Sequence, residues 1–293
     1  MENLARKIAE DNGFELVRKL SCNAFLCKKE ALFVVLKLGD RVTFERNSKA
    51  RLVLEHLKTH PFPSTLTPHF VALSDEGEIA YMITSYVEAA EVPWSEFNGD
   101  DSLGGVQVSL KYVTNVTTAL ADLRSYDTAG VPLKIFPDSF EMVLTRVNYF
   151  VETNLVSREQ CEKITEFIKK NGDNYFSAGI IISNGDFYPR NLLVTSEGQS
   201  CLIDWDGAHL APKEQVAMYF WCSMFGNKGF QKELLNWCQK QHDWSKIRYT
   251  LGLFLAATED LSGWAKNPKC TAAVTAYTGY LNNFEDLFAG YKK

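Results

Sequence analysis

Two short apolar runs, Gly179–Ser183 and Leu192–Thr195, flank the loop Asn184-Gly185-Asp186-Phe187-Tyr188-Pro189-Arg190-Asn191. A third run, Ser200–Ile203, follows the turn Ser196-Glu197-Gly198 and leads into Asp204-Trp205-Asp206-Gly207. Apolar runs this short, bounded by Gly, Asn and Pro, read as strands, because a helix needs more length. A carboxylate and an amide, Asp186 and Asn191, therefore share one loop between strands, and a second carboxylate, Asp204, ends a strand. Phosphoryl transfer needs such a set. One carboxylate orients the attacking hydroxyl and accepts its proton, while an amide oxygen and a second carboxylate are the hard ligands that Mg²⁺ prefers. The plainer alternative is a loop in which Asp186 and Asn191 only cap a turn.

The rest of the chain arranges itself around that segment. A short helix is expected over 3–12. A β-rich block follows: strands over Phe14–Leu20 and Ala24–Lys29 across a turn at Ser21-Cys22-Asn23, then a buried central strand over Ala31–Leu38. Thr43–His60 reads as a helix with Ala50, Val53, Leu54 and Leu57 on one face, stopped by Pro61, Pro63 and Pro68. Phe70–Leu73 and Ile79–Tyr86 read as a hairpin across Asp75-Glu76-Gly77. Beyond Val87 the pattern turns helical, over Leu103–Tyr126, Ser139–Asn154, Ser157–Lys170 and again from Pro212 onward. The plan is α+β: a small β-rich lobe joined at about residues 84–90 to a larger, mainly helical lobe.

Composition narrows the function. The 293 residues carry a net charge of −5 with a pI of about 5.6, which argues against nucleic acid as the main partner. The seven cysteines are scattered, with no C-x-x-C pair, so buried free thiols in a reducing compartment are expected rather than a disulfide framework or a zinc site. No apolar run approaches the roughly 20 residues that span a bilayer. The charged N-terminus lacks the apolar core of a signal peptide. The expectation is a cytoplasmic protein with no membrane partner.

The run G-D-F-Y-P-R-N-L-L-V followed by L-I-D-W-D resembles the aminoglycoside phosphotransferase and choline kinase superfamily. Strong motif identity is confined to about residues 180–208, while the lobe order extends the resemblance to the whole chain. The resemblance implies a bilobal protein-kinase-like fold, with a nucleotide-binding lobe at 1–86 and a catalytic and substrate lobe at 87–293. It also implies ATP or another nucleoside triphosphate, Mg²⁺ and a small hydroxylated acceptor. By resemblance Asp186 is the catalytic base, Asn191 and Asp204 are metal ligands, and Asp206 is an accessory. Lys37, within Val34-Val35-Leu36-Lys37-Leu38, takes the place of the lysine on the nucleotide phosphates; without the resemblance it is a strand-end lysine reaching solvent. Ser21 and Asn23 would offer donors to phosphate from a hairpin loop that lacks glycine. Backbone groups of Ser85 and Val87 would meet the base edge.

The chain departs from the family pattern in three places. Asn184 stands where His is usual. Arg124 takes the place of a helix-terminal His. No glutamate lies near Ala50 on the inward face of the second helix, where the partner of Lys37 is expected; Glu55 has a suitable separation but a solvent-facing phase, and Glu45 comes early in the helix. For the acceptor pocket, Trp221, Trp237, Trp244 and Trp264 with Glu259 and Asp260 are candidate walls that would suit a cationic amine, and equally they are core tryptophans and surface acids. The rival reading is a catalytically inactive pseudokinase that binds a nucleotide or a partner. A protein kinase fits less well, because Pro212-Lys213-Glu214 follows Asp204 too soon for an activation segment.

Overall fold

A computed structural model of the chain describes residues 1–74, 79–89, 110–267 and 270–289. The chain begins with α1 (Glu2–Asp11), whose Ala5 and Ala9 are buried against the sheet that follows. That sheet contains β1 (Glu15–Lys19), β2 (Ala24–Lys29), β3 (Leu32–Gly39), β4 (Phe70–Ser74) and β5 (Ala80–Ser85), in the order β1-β2-β3-β5-β4. Every neighbouring pair is antiparallel. The apolar run at 31–38 thus becomes an inner strand, bonded to β2 on one side and β5 on the other. Its two-residue period sends Val34, Leu36 and Leu38 into the core under α1 and points Lys37 to the opposite face.

Between β3 and β4 runs α2 (Arg41–Thr59). Its N-terminus is capped by Asp40, whose side chain accepts from the Thr43 N–H at 2.9 Å. Gly39 is needed at this corner, since a Cβ there would lie 2.2 Å from the Thr43 side chain. The expected inward face is buried, with Ala50, Val53, Leu54 and Leu57 all at 2% exposure or less. These residues join the larger of the two hydrophobic cores among the described residues, which continues through Phe62 and Met82 into the second half of the molecule. Phe62 stacks on Trp205 at 6.2 Å between ring centroids.

The second half contains α3 (Leu110–Ser125), α4 (Glu141–Glu152) and α5 (Arg158–Asn171), then β6 (Ile180–Ser183), β7 (Leu192–Val194), β8 (Ser200–Leu202) and β9 (His209–Pro212). After them come α6 (Lys213–Ser223), α7 (Lys228–Gln239), α8 (Lys246–Trp264), α9 (Thr271–Asn282) and the short α10 (Phe284–Leu287). The long helix expected over 103–126 is present from Leu110; its first turns, the Asp75–Gly77 turn and part of the 84–90 connection lie outside the described residues. β7 and β8 form the expected hairpin. β9 was not anticipated: a four-residue stretch that starts at a His and ends at a Pro has no apolar signature, and it becomes a strand because β6 supplies an antiparallel partner. The fold is α+β, an antiparallel sheet beside a mainly helical body. Among the described residues no helix is long and apolar enough to cross a membrane. Cys22 is exposed and the other six cysteines are buried, all as free thiols.

Candidate active site

The loop after β6 is held from beneath. Asn184 is fully buried, and its Nδ2 donates to the carbonyls of Ile203 at 3.0 Å, Asp186 at 3.2 Å and Asp204 at 3.4 Å. One side chain thus ties the Asp186 loop to the end of β8. Gly185 has φ 84°, and a Cβ there would stand 2.1 Å from the Gly207 carbonyl oxygen, so the glycines of the two motifs are packed backbone to backbone. Phe187 is buried against Phe220 at 5.2 Å. The Tyr112 hydroxyl closes the far end of the loop, within hydrogen-bonding distance of the carbonyls of Leu192 at 2.9 Å and Pro189 at 3.0 Å. Asp204 has φ 60°, a left-handed conformation that non-glycine residues seldom adopt and that often marks functional positions.

This framework brings five of the sequence-predicted residues together in two clusters. In the first, Asp186 Oδ2 accepts from Asn191 Nδ2 at 2.6 Å and from Arg190 Nη2 at 2.9 Å. In the second, Lys37 Nζ donates to Asp204 Oδ1 at 2.6 Å and to Asp206 Oδ2 at 2.8 Å. The Ile203 N–H, donating to the Asn191 carbonyl at 2.9 Å, links the two. Burial acts to lower the pKa of Lys37, but the two carboxylates outweigh it and hold the ammonium above its ordinary value. Burial raises the pKa of Asp206, and Lys37 opposes that rise.

The remaining predicted residues are placed differently. Asn23 spends its side chain on the Leu38 carbonyl, at 3.1 Å, beside Lys37, and Ser21 is exposed in the hairpin turn. The Ser85 N–H donates to the His69 carbonyl at 2.8 Å, so that donor is used within the fold, and Val87 follows half-buried in the connection. Glu55 and Glu45 are exposed on α2, and the carboxylates that meet Lys37 are Asp204 and Asp206. The candidate pairing of Glu55 with Lys37 is not formed: as its solvent-facing phase implies, its neighbours Val53, Leu54 and Leu57, not Glu55, occupy the buried face of the helix. Arg124 forms an ion pair with Asp243.

Two cavities meet at Asp186. One, of about 490 Å³, is lined by Asp186, Tyr188, Arg190, Glu259, Asp260 and Trp264 among others. The other, of about 450 Å³, adds Arg46, Asp204, Asp206, His209 and Gln215. Gly185, Tyr219 and Glu259 border both. In the first cavity the Tyr188 hydroxyl donates to Asp260 and the Tyr219 hydroxyl to Glu259. Burial pushes the Asp260 carboxyl up to about 7, against the pull of the Tyr188 and Tyr277 hydroxyls. In the second cavity three buried acceptors, Asp206 Oδ1, His209 Nε2 and Gln215 Oε1, have no hydrogen-bond partner among the described residues. His209 Nδ1 lies 2.8 Å from the Gly207 carbonyl, so Nδ1 carries the proton and Nε2 is the free acceptor. Nothing in the local sequence around His209 or Gln215 marks either as a site residue. Of the four tryptophans considered as pocket walls, Trp264 alone lines the first cavity; Trp221 is core and donates to the Gln231 carbonyl at 3.0 Å, Trp237 lies under Arg124, and Trp244 packs on Tyr249.

No protein-family model matches the chain, and no curated protein matches it by sequence. Solved structures do match its fold. A macrolide 2′-phosphotransferase from Brachybacterium faecium superposes with a TM-score of 0.62 at 15% identity, over 94% of this chain and 98% of that one. An aminoglycoside phosphotransferase from Streptomyces rimosus, in complex with ADP and streptomycin, gives 0.58 at 13% identity over 87% and 95%. An aminoglycoside phosphotransferase bound to GDP and kanamycin gives 0.62 at 10% identity over 95% and 97%. The chain therefore has the kinase-like fold of small-molecule phosphotransferases, over nearly its whole length.

Proposed function

We propose that this chain transfers the terminal phosphoryl group of a nucleoside triphosphate to a hydroxyl of a small molecule. The observation that carries the reading is the convergence of Lys37, Asp204 and Asp206 across 167 residues of sequence, beside a loop that presents Asp186 and Asn191. Lys37 would bind the phosphates as a point charge. Asp204 and Asn191, with Asp206 beside them, would hold Mg²⁺, which when bound neutralises charge on the phosphates. The donor set fits this ion, being all hard oxygen and including an unpartnered carboxylate oxygen, Asp206 Oδ1. It is not a closed cage: among the described residues no group of three or more His, Cys, Asp or Glu could hold a metal alone, so phosphate oxygens would complete it. Asp186, oriented through Oδ2 by Asn191, would accept the proton of the acceptor hydroxyl.

The acceptor side favours a cationic molecule. Asp186, Glu259 and Asp260 line one cavity with Trp264 and Tyr188, and carboxylates beside aromatic faces suit an ammonium group. ATP and GTP are equal candidates for the donor, since the similar folds include complexes with ADP and with GDP. One observation favours a binding module without turnover: Lys37 has carboxylate partners at the metal position and, among the described residues, none on α2.

The test pairs nucleotide titrations, with and without Mg²⁺, with transfer rates to a panel of aminoglycosides, macrolides, choline and sugars. Asp186→Ala is expected to leave Mg²⁺–nucleotide affinity nearly intact while turnover falls about 10²–10⁴-fold. Asp204→Ala is expected to weaken Mg²⁺-dependent binding as well. Nucleotide binding lost in Asp186→Ala and kept in Asp204→Ala would reverse the assigned roles. Binding without turnover on any acceptor would favour the module.

A further inference from the structure

Arg190 does more than the loop needs. Asn191 already orients Asp186 through Oδ2 at 2.6 Å, yet Arg190 Nη2 lies 2.9 Å from the same oxygen. The Arg190 side chain is 57% exposed, and its guanidinium carbon stands 5.8 Å from the centroid of the Tyr188 ring. An arginine held by one exposed ion pair is only weakly fixed. It also stands alone in sign: among the described residues lining the acceptor cavity, Asp186, Glu259 and Asp260 are acidic and Arg190 is the one cation. The other positive groups of the reading, Lys37 and Mg²⁺, approach from the nucleotide side. A phosphoryl group in flight carries charge on its equatorial oxygens, and a planar guanidinium can reach two of them at once.

We propose that Arg190 is a catalytic residue that leaves Asp186 and stabilises the transferring phosphoryl group from the acceptor side. This rests on the phosphotransferase reading above. In the step, the acceptor oxygen forms a bond to the terminal phosphorus while the bridging P–O bond breaks. The nucleoside diphosphate departs, the acceptor proton passes to Asp186, and Arg190 stays protonated throughout. Arg190 is unpaired from Asp186 at the moment that carboxylate takes up the proton, so the exchange leaves no carboxylate uncompensated.

The experiment needs no identified acceptor. Mg²⁺–ADP and Mg²⁺–GDP are titrated with and without aluminium fluoride, whose planar complex stands in for the phosphoryl group in flight. Wild type, Arg190→Ala and Arg190→Lys are compared, with melting temperatures to establish folding. Wild type is expected to bind the diphosphate more tightly with fluoroaluminate. Arg190→Ala should keep its diphosphate affinity within about threefold and lose about 10²-fold of the fluoroaluminate gain, in the range for a charge-stabilising donor. Arg190→Lys should retain part of the gain. An undiminished gain in Arg190→Ala would overturn the proposal, as would a loss of diphosphate affinity by the same factor, which would mark a structural or nucleotide-binding role. Wild type that binds the diphosphate but ignores fluoroaluminate would also overturn it. Wild type that binds neither diphosphate would instead bring down the phosphotransferase reading itself.

Discussion

Asp260 carries a prediction that its surroundings make specific. It is faced by the hydroxyls of Tyr188 and Tyr277 and by the carboxylates of Glu259 and Asp186, and burial raises its pKa to about 7. An acid whose folded-state pKa lies above its unfolded value binds more protons folded than unfolded between those two values. Stability is therefore lost as pH rises from about 4 to about 7 and is level above that, by a few kcal/mol at most for a shift of this size. Asp260→Asn, neutral at every pH, should be the more stable protein at pH 8, and this advantage should shrink towards pH 5; denaturant midpoints at the two pH values decide it. A cationic acceptor that stays charged should bind more tightly at pH 8 than at pH 6 in wild type, with that difference flattened in Asp260→Asn. Gly185 gives a second test at this scale. Alanine there would adopt a left-handed φ at a cost of roughly 1–2 kcal/mol, and its Cβ would overlap the Gly207 carbonyl at 2.1 Å. Gly185→Ala should lower both melting temperature and turnover, and full activity in that variant would contradict the backbone packing described for the two motifs.

Between elements, the most consequential polar contact is Arg248 on α8 with Glu214 on α6, at 2.9 Å, where the Glu214 side chain is fully buried. Arg248 Nη2 also donates to the carbonyls of Ala178 at 2.6 Å and Tyr175 at 3.2 Å, in the segment that leads into β6. The pair thus ties the helical core to the strand from which Asp186 emerges. Arg248→Ala would leave a buried carboxylate without its counter-charge and should cost about 3–5 kcal/mol in urea denaturation; a loss under 1 kcal/mol would mean that water or another partner takes the place of Arg248 at Glu214. Elements of this kind differ in how far sequence exposes them. The inward face of α2 was readable because Ala50, Val53, Leu54 and Leu57 repeat at helical spacing, and β3 because its apolar run is long enough for an inner strand. β9 was not, since its only qualification is a partner in β6. The Asp186–Asn191 loop was legible as a local motif. The partners of Lys37 were not, because Asp204 and Asp206 reach it only through tertiary packing. Nor were Arg190, His209 and Gln215, ordinary residues of a loop, a strand end and a helix until the fold turns them towards a cavity.

Across the whole molecule, Lys37 fastens the sheet to the loop after β8, and this sets what a metal ion can do without a nucleotide. Its ammonium neutralises two carboxylates at once, with a side-chain exposure of 20%. For Mg²⁺ alone to bind there it must displace that ammonium, and with few protein oxygens it has little to offer in exchange. Millimolar Mg²⁺ should therefore leave the melting temperature of wild type nearly unchanged, while Mg²⁺ with nucleotide raises it, because phosphates take Lys37 as the ion takes Asp204. Lys37→Met reverses the first expectation. Asp204 and Asp206 become a like-charge pair with no cation between them, which destabilises the folded chain. An ion in that gap now meets no competitor. With a dissociation constant near 1 mM, 10 mM Mg²⁺ would contribute about 1.4 kcal/mol, from the logarithm of the bound ratio. For a chain of this size that is a rise of a few degrees. The variant should also lose most of the stabilisation that Mg²⁺ and nucleotide give together, since the phosphates have lost their lysine. Thermal melts of both proteins, with no addition, with Mg²⁺, and with Mg²⁺ and ATP or GTP, carry the test. An equal response to Mg²⁺ alone in wild type and Lys37→Met would show that Lys37 does not guard the carboxylates, and the clasp would then be a passive ion pair between two halves of the fold.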